Sequence, residues 1–314
     1  MARGARKERK LNGIWGFQTL RRDHLTAPNK LADTLFEHRL FHSRANWFKL
    51  VYDPAAMFGL FTLLCLGLAA VLAPFFTGYD PNRINLAAIC LPPSSVHPLG
   101  TDLLGRDLLS RCLFGARVSL VVGLGSATIA AGLGLTLGLL AALKGGLVDA
   151  AITRMVDAAL AMPALFLVIA IQSVFGSSVA NVIVIVSLAS WMLVARIVRA
   201  LILSLKEREF ILAARALGCS NSRIVFRHLI PNIAGQVGIL FALGVADALL
   251  MESALSFLGI GVPASVPSWG NMLSDAQTAI LSGAWWIPAA PGALILLATL
   301  AINLLGDSLQ ETFS

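Results

Sequence analysis

Asp247 and Glu252 fall inside an apolar stretch, 235–258, that is long enough to cross a bilayer. A carboxyl group in hydrocarbon is costly, so each is expected to face the bundle interior, a cavity or a partner helix. There it would line a path for a polar solute or make structural hydrogen bonds, and the residues alone leave both readings open. Other sets that could carry chemistry are poorer. His97, Asp102 and Asp107 would suit a metal only if they converged, and the neighbouring Arg106 and Arg111 argue against it. The histidines at 24, 38, 42, 97 and 228 lie in tails or loops, with no Ser/His/Asp or Cys/His set around them. The cysteines at 65, 90, 112 and 219 lack ligand spacing, although Cys90 and Cys112 leave a disulfide open. No GxxxxGK[ST] phosphate loop occurs, nor any Gly-Lys dipeptide. These patterns argue against an enzyme and give the chain no site for ATP or another cofactor.

The elements that position these residues must live in lipid. With 57% hydrophobic and 13% charged residues over 314 positions, and a mean hydropathy of +0.79, a soluble domain could not hide this surface. Apolar stretches long enough to span occur near 56–76, 117–143, 155–175, 179–205, 235–258 and 284–306. Each must be helical, since lipid offers backbone groups no partners and the alternation of barrel strands is missing. The expectation is an all-α integral membrane protein with six transmembrane helices.

Charge sets the orientation. Arg3, Arg6, Lys7, Arg9, Lys10 and further basic residues precede the first span, and Arg196 to Arg227 occupy the end of the fourth and the hinge after it. By the positive-inside rule both regions, and both termini, are cytoplasmic. The net charge of +7 is explained by this orientation; the basic residues are scattered without aromatic interleaving, so nucleic acid is not an expected partner. Residues 1–55 read as a cytoplasmic tail in which Leu31, Leu35, Phe36 and Leu40 could line an amphipathic helix on the lipid surface.

Between spans, 77–116 reads as an outer segment. Asp102 with Arg106, and Asp107 with Arg111, are acid-first pairs four apart, and predict a short interfacial helix. The second span carries two small-residue stripes, Ser119, Gly123, Ala127, Ala131 and Ser126, Ala130, Gly134, Gly138, Ala142, which mark it as central. Pro163 should kink the third span. The segment Gly261 to Trp286, with Pro263, Pro267, Ser268-Trp269-Gly270-Asn271 and Trp285-Trp286, reads as re-entrant or interfacial, its tryptophans at headgroup depth.

The polar segment 205–232 stands apart from the spans. A mixed-charge turn at Lys206 to Glu209 leads into a helix kept thin by Ala213, Ala214 and Ala216, and Gly218 stops it. Ser220 or Asn221 can cap a second short helix, which Pro231 ends. Such a pair suits docking into a cleft on a soluble partner, with Phe210, Ile211 and Leu217 supplying apolar contact.

Those residues carry a resemblance. The pattern of Glu209, Ala213, Ala214, Gly218, Ile224 and Pro231 resembles the EAA loop of permease subunits in ATP-binding-cassette importers, where it forms the coupling helix on the ATPase. His97-Pro98-Leu99-Gly100-Thr101-Asp102, Gly105-Arg106-Asp107 and Gly115-Ala116-Arg117 closely resemble the C-type subunit of dipeptide and oligopeptide permeases. Glu252 with Ala254-Leu255-Ser256-Phe257-Leu258-Gly259, and Asn303-Leu304-Leu305-Gly306-Asp307, are similar to the same family; Asp247 belongs to none of its motifs. After Asp307 the chain departs from the pattern: Leu309-Gln310-Glu311 stands where an arginine is usual, and 309–314 reads as a tail.

The resemblance implies the type I importer permease fold over 117–308, with its cytoplasmic coupling loop at 206–232, in a bacterial cytoplasmic membrane. It implies a second, B-type permease, one or two P-loop ATPases holding ATP and Mg, and an extracytoplasmic substrate-binding protein as partners. Trp269 and Asn271 then join Asp247 and Glu252 as candidates for the pathway or its outer gate. Dipeptides or oligopeptides are the expected cargo; nickel chelates, glutathione and opine-like compounds are the alternatives within the fold. A secondary transporter working without ATP is the competing class, and only one half of the chain carries the hinge, so the inverted repeat common to that class is missing.

Overall fold

The computed structural model describes residues 52–313, so the amphipathic helix read in the first fifty residues lies outside them. The described chain is helical with no strand; one isolated bridge joins Thr101 to Asp107. Five helices are long and apolar enough to cross a membrane, and a bent pair makes a sixth span if counted as one.

The first span, α1 (Pro54–Phe76), begins where the Asp53 carboxylate accepts from the Ala55 N–H at 3.0 Å, with Pro54 preset for the first turn. Its buried residues are all small: Ala56, Gly59, Ala70 and Ala73. A Cβ on Gly59 would stand 2.5 Å from the Ala301 carbonyl, so α1 lies directly against the backbone of the last span, α9 (Trp286–Phe313). Ser308 donates to the Asp53 carboxylate and closes this pair at one end. That bond, with the Ala55 bond second, holds the Asp53 carboxyl below the usual carboxylate range.

The second span, α2 (Leu108–Lys144), runs 37 residues and about 55 Å at 1.5 Å per residue. Its two stripes serve two neighbours. Ser119, Gly123 and Ala127 face α8 (Ile230–Phe257), where a Cβ on Gly123 would stand 2.9 Å from Leu249 Cγ. Gly134 and Gly138 face α5 (Val179–Leu205), where added Cβ atoms would meet Val194 Cβ at 2.5 Å and the Ala195 carbonyl at 2.6 Å. The central place expected from composition is the place this helix takes.

Two local expectations fail and one is exceeded. Residues 102–107 form no interfacial helix. They fold back on 85–91 through Gly100 and Gly105 at φ +82° and +70°, and a side chain at Gly105 would collide with the Asn85 carbonyl. Asp102 still pairs with Arg106 at 2.6 Å, but in a turn where it also accepts from the Leu104 and Arg106 N–H groups. Asp107 caps α2 by accepting from Ser110 and pairs with His97 at 2.8 Å, leaving Arg111 to face Asp102 at 3.5 Å.

The third span is broken as well as kinked: α3 (Gly146–Leu160) and α4 (Ala164–Phe175) meet at 93° across the break before Pro163. Proline restricts its predecessor to extended backbone and cannot donate to the turn before it. Finally, Pro231 does not end a helix. Asn221–Phe257 is one continuous run in which Val225–Leu229 widens to a π turn just before the proline, displacing the carbonyls its ring would strike.

Candidate functional site

One end of the bundle carries the hinge. Four residues after α5, α6 (Glu209–Ala216) begins with Glu209 in its first turn, where a carboxylate complements the exposed N–H groups. Gly218 takes φ +78° beyond the last turn. The Gly218 N–H donates to the Arg215 carbonyl at 2.9 Å and the Cys219 N–H to Ala214 at 3.0 Å, the paired bonds of a Schellman cap. Ser220 then caps α7 (Asn221–Ile224), accepting from the Arg223 N–H at 3.4 Å.

Of the six hinge residues singled out from the sequence, Ala214 and Ile224 turn inward. They pack with Leu139, Val198 and Ile202, seating the hinge on the ends of α2 and α5. Glu209, Ala213, Gly218 and Pro231 stay exposed. Ile211 is fully buried, which removes it from the expected docking face, and Phe210 is partly buried against the same cluster. Leu217 remains, 85% exposed, and it is joined by Leu212 and Phe226, which sequence reasoning missed. The signal was present: Ile211 and Ala214, three apart, share the inner face, so Leu212 must point away.

The other end holds a buried polar node. Glu252 is fully buried on α8. Its Oε1 accepts from the Ser256 hydroxyl at 2.8 Å and its Oε2 from the Ser119 hydroxyl at 3.2 Å. Each serine oxygen in turn accepts a backbone N–H, from Val262 at 3.0 Å and from Trp269 at 3.1 Å. Two chains of donors thus converge on one carboxyl, each bond polarising the next. Trp269 is fully buried and its indole N–H donates to the Cys112 carbonyl at 2.9 Å, so it packs inside the bundle against the first turns of α2. Gly270 permits this entry, since a Cβ there would stand 2.6 Å from Ser253 Cα.

Asn271 folds the same segment. Its amide oxygen accepts from the Ser268 N–H at 3.2 Å, and its amide nitrogen donates to the Pro263 and Val266 carbonyls. Glu252, Trp269 and Asn271 therefore belong to one folded unit in which the segment after α8 packs back on it, with their polar atoms engaged. Asp247 stands apart, exposed on α8. Val245 and Leu249 meet Gly123 of α2, and at 100° per residue Asp247 lies on the far side of the helix.

Comparison with known proteins agrees with this architecture. The family described as "Binding-protein-dependent transport system inner membrane component" matches residues 134–314, and the "N-terminal TM domain of oligopeptide transport permease C" matches 43–93. The chain is 38% identical over 283 residues to the dipeptide transport system permease protein DppC of Bacillus subtilis, covering 90% of this chain and 88% of the relative. It is 39% identical over 256 residues to the protein of that name from Alkalihalophilus pseudofirmus, covering 82% and 84%. The oligopeptide transport system permease protein OppC of Bacillus subtilis is 36% identical over 256 residues, again covering 82% and 84%.

Proposed function

Because this chain belongs to the family of binding-protein-dependent transport system inner membrane components, we propose that it carries peptides across the membrane as one permease of an ATP-driven importer. It is a multi-pass transport subunit of the inner membrane, not an enzyme. The basic residues before the first span, at the end of the fourth and in the hinge support a cytoplasmic hinge and cytoplasmic termini by the positive-inside rule. The observation that carries the coupling role is the hinge cap: α6 stops at Gly218 and leaves Leu217 exposed beside it, ready to enter a cleft on an ATPase subunit. Glu209, Ala213 and Pro231 border that surface, while Ala214 and Ile224 seat it. ATP and Mg are held by the ATPase, a second permease completes the pathway, and a binding protein delivers cargo from outside.

Affinity purification of the chain from its native membrane in mild detergent tests this reading. A second permease and a P-loop ATPase should come with it, with vanadate-sensitive ATP hydrolysis. A chain that purifies alone and transports in liposomes without ATP would replace the importer with a secondary transporter.

Asp247 is assigned to the pathway. A carboxylate exposed on a spanning helix is too costly to leave in lipid, and the far face of α8 is open for the path between two permeases. Asp247→Asn should lower peptide uptake several-fold while leaving the yield of assembled complex unchanged. Wild-type uptake by that variant would remove Asp247 from the pathway.

A further inference from the structure

The broken third span is fastened to the hinge helix by charge. Arg199 on α5 grips Asp149 on α3 with both ends of its fork, Nε to Oδ1 at 2.5 Å and Nη2 to Oδ2 at 2.6 Å. Thr153, one turn on, donates to the same carboxylate at 3.3 Å. Nearer the middle of α5, Arg196 pairs with Asp157, two turns further along α3. The two pairs run in opposite chain order, so α3 lies antiparallel along the last turns of α5.

The apolar contact that holds α3 is thin, with Ile152 and Ala159 only partly buried against its neighbours. Val156 is its one buried side chain, packed among Ala130, Trp191, Met192 and Ala195. Beside it a cleft of about 100 Å³, lined by Ala141, Ile152, Thr153 and Ala195, leaves the contact between α3 and its neighbours incompletely filled. With one fully buried side chain, the helix leans on its ion pairs for position, chiefly on Asp149–Arg199, since Arg196 and Asp157 are half exposed. Asp149 and Arg199 are only 22% and 31% exposed, so their attraction is less screened than that of a surface pair.

Each end of this assembly leads somewhere. α5 continues without a break from Arg199 to Leu205, and α6 of the hinge starts at Glu209. Lys206 donates to the Ala142 carbonyl at 3.2 Å, which seats the join against α2. At its own far end α3 reaches the break before Pro163 and the 93° turn into α4.

We propose that Asp149–Arg199 and Asp157–Arg196 are positioning pairs that make α3 and the end of α5 a single body, so that displacement of the hinge is delivered to the break before Pro163 and reorients α4. This rests on the importer reading above. Hinge and break are the two ends of one lever; without the pairs the hinge would move α5 alone.

Charge exchange in the assembled complex tests it, with uptake into proteoliposomes scored per ATP hydrolysed. Asp149→Arg and Arg199→Asp should each lower that ratio by about tenfold while hydrolysis continues. The exchange Asp149→Arg/Arg199→Asp, which restores opposite charges, should recover it to within about twofold. A role in folding alone would reduce the amount of complex and leave the ratio unchanged. Should the single reversals fail to assemble, the neutral pair Asp149→Asn/Arg199→Gln, free of repulsion, decides the matter: a lowered ratio supports the lever and a wild-type ratio overturns it. Single reversals that transport normally, or an exchange no better than either single, also overturn it. Absence of ATP-driven uptake by the wild-type complex would instead refute the importer reading.

Discussion

Gly218→Val is expected to abolish ATP-coupled uptake while leaving membrane insertion and complex assembly intact. Gly218 sits at φ +78° with no atom within 4 Å of the place a Cβ would occupy. The penalty is therefore conformational and not steric crowding: a residue with a Cβ costs about 1–2 kcal/mol in this region, and a β-branched one more. That is enough to break the two bonds of the cap, from Gly218 to Arg215 and from Cys219 to Ala214, and to turn Leu217 out of its presented position. The spans would be untouched, because Ile211, Ala214 and Ile224 still seat the hinge on α2 and α5. Gly218→Asn is the matching control, since asparagine tolerates the left-handed region, and it should keep most of the uptake. Normal transport by an assembled Gly218→Val complex would separate the hinge from coupling.

Glu252→Leu is expected to have the largest effect on stability. The replacement is close in size but removes the acceptor on which both serine hydroxyls depend. Ser119 and Ser256 are themselves buried, and they hold the Trp269 and Val262 N–H groups. Two buried donors left without a partner cost about 3 kcal/mol together, and the segment carrying Trp269 loses its anchor. Thermal unfolding of the purified complex should fall sharply, with lower yield and loss of uptake. Glu252→Gln should be milder, because its amide oxygen still accepts from one serine. A Leu variant as stable as wild type would show that the carboxyl contributes nothing to the node.

Much of the architecture was legible in the residues. Six apolar stretches and the two stripes on the second span are statements about lipid and close packing, and both forces act on local sequence. The hinge was readable because Gly218 and Ser220 are chemically suited to the cap and the helix start they provide. Errors began where neighbours distant in sequence decided. Asp102 and Arg106 have helical spacing, yet the turn made by Gly100 and Gly105 against 85–91 overrode it. Pro163 announced a kink but not an angle, since the direction of α4 depends on what α3 is fastened to.

Sequence by itself determined that this chain is a helical membrane protein, where its polar hinge lies, and which family it resembles. Those conclusions rest on composition, on the length of apolar runs and on residues with strong local preferences, and none needs a contact partner to be known. The tertiary structure alone decided which apolar hinge residues face outward, that Trp269 is buried against α2, that Glu252 closes a hydrogen-bond node while Asp247 does not, and that α3 is held by two ion pairs. In a membrane protein an apolar side chain suits lipid and core equally, so hydrophobicity cannot assign it to either. A polar one is assigned only by the partner that folding brings to it.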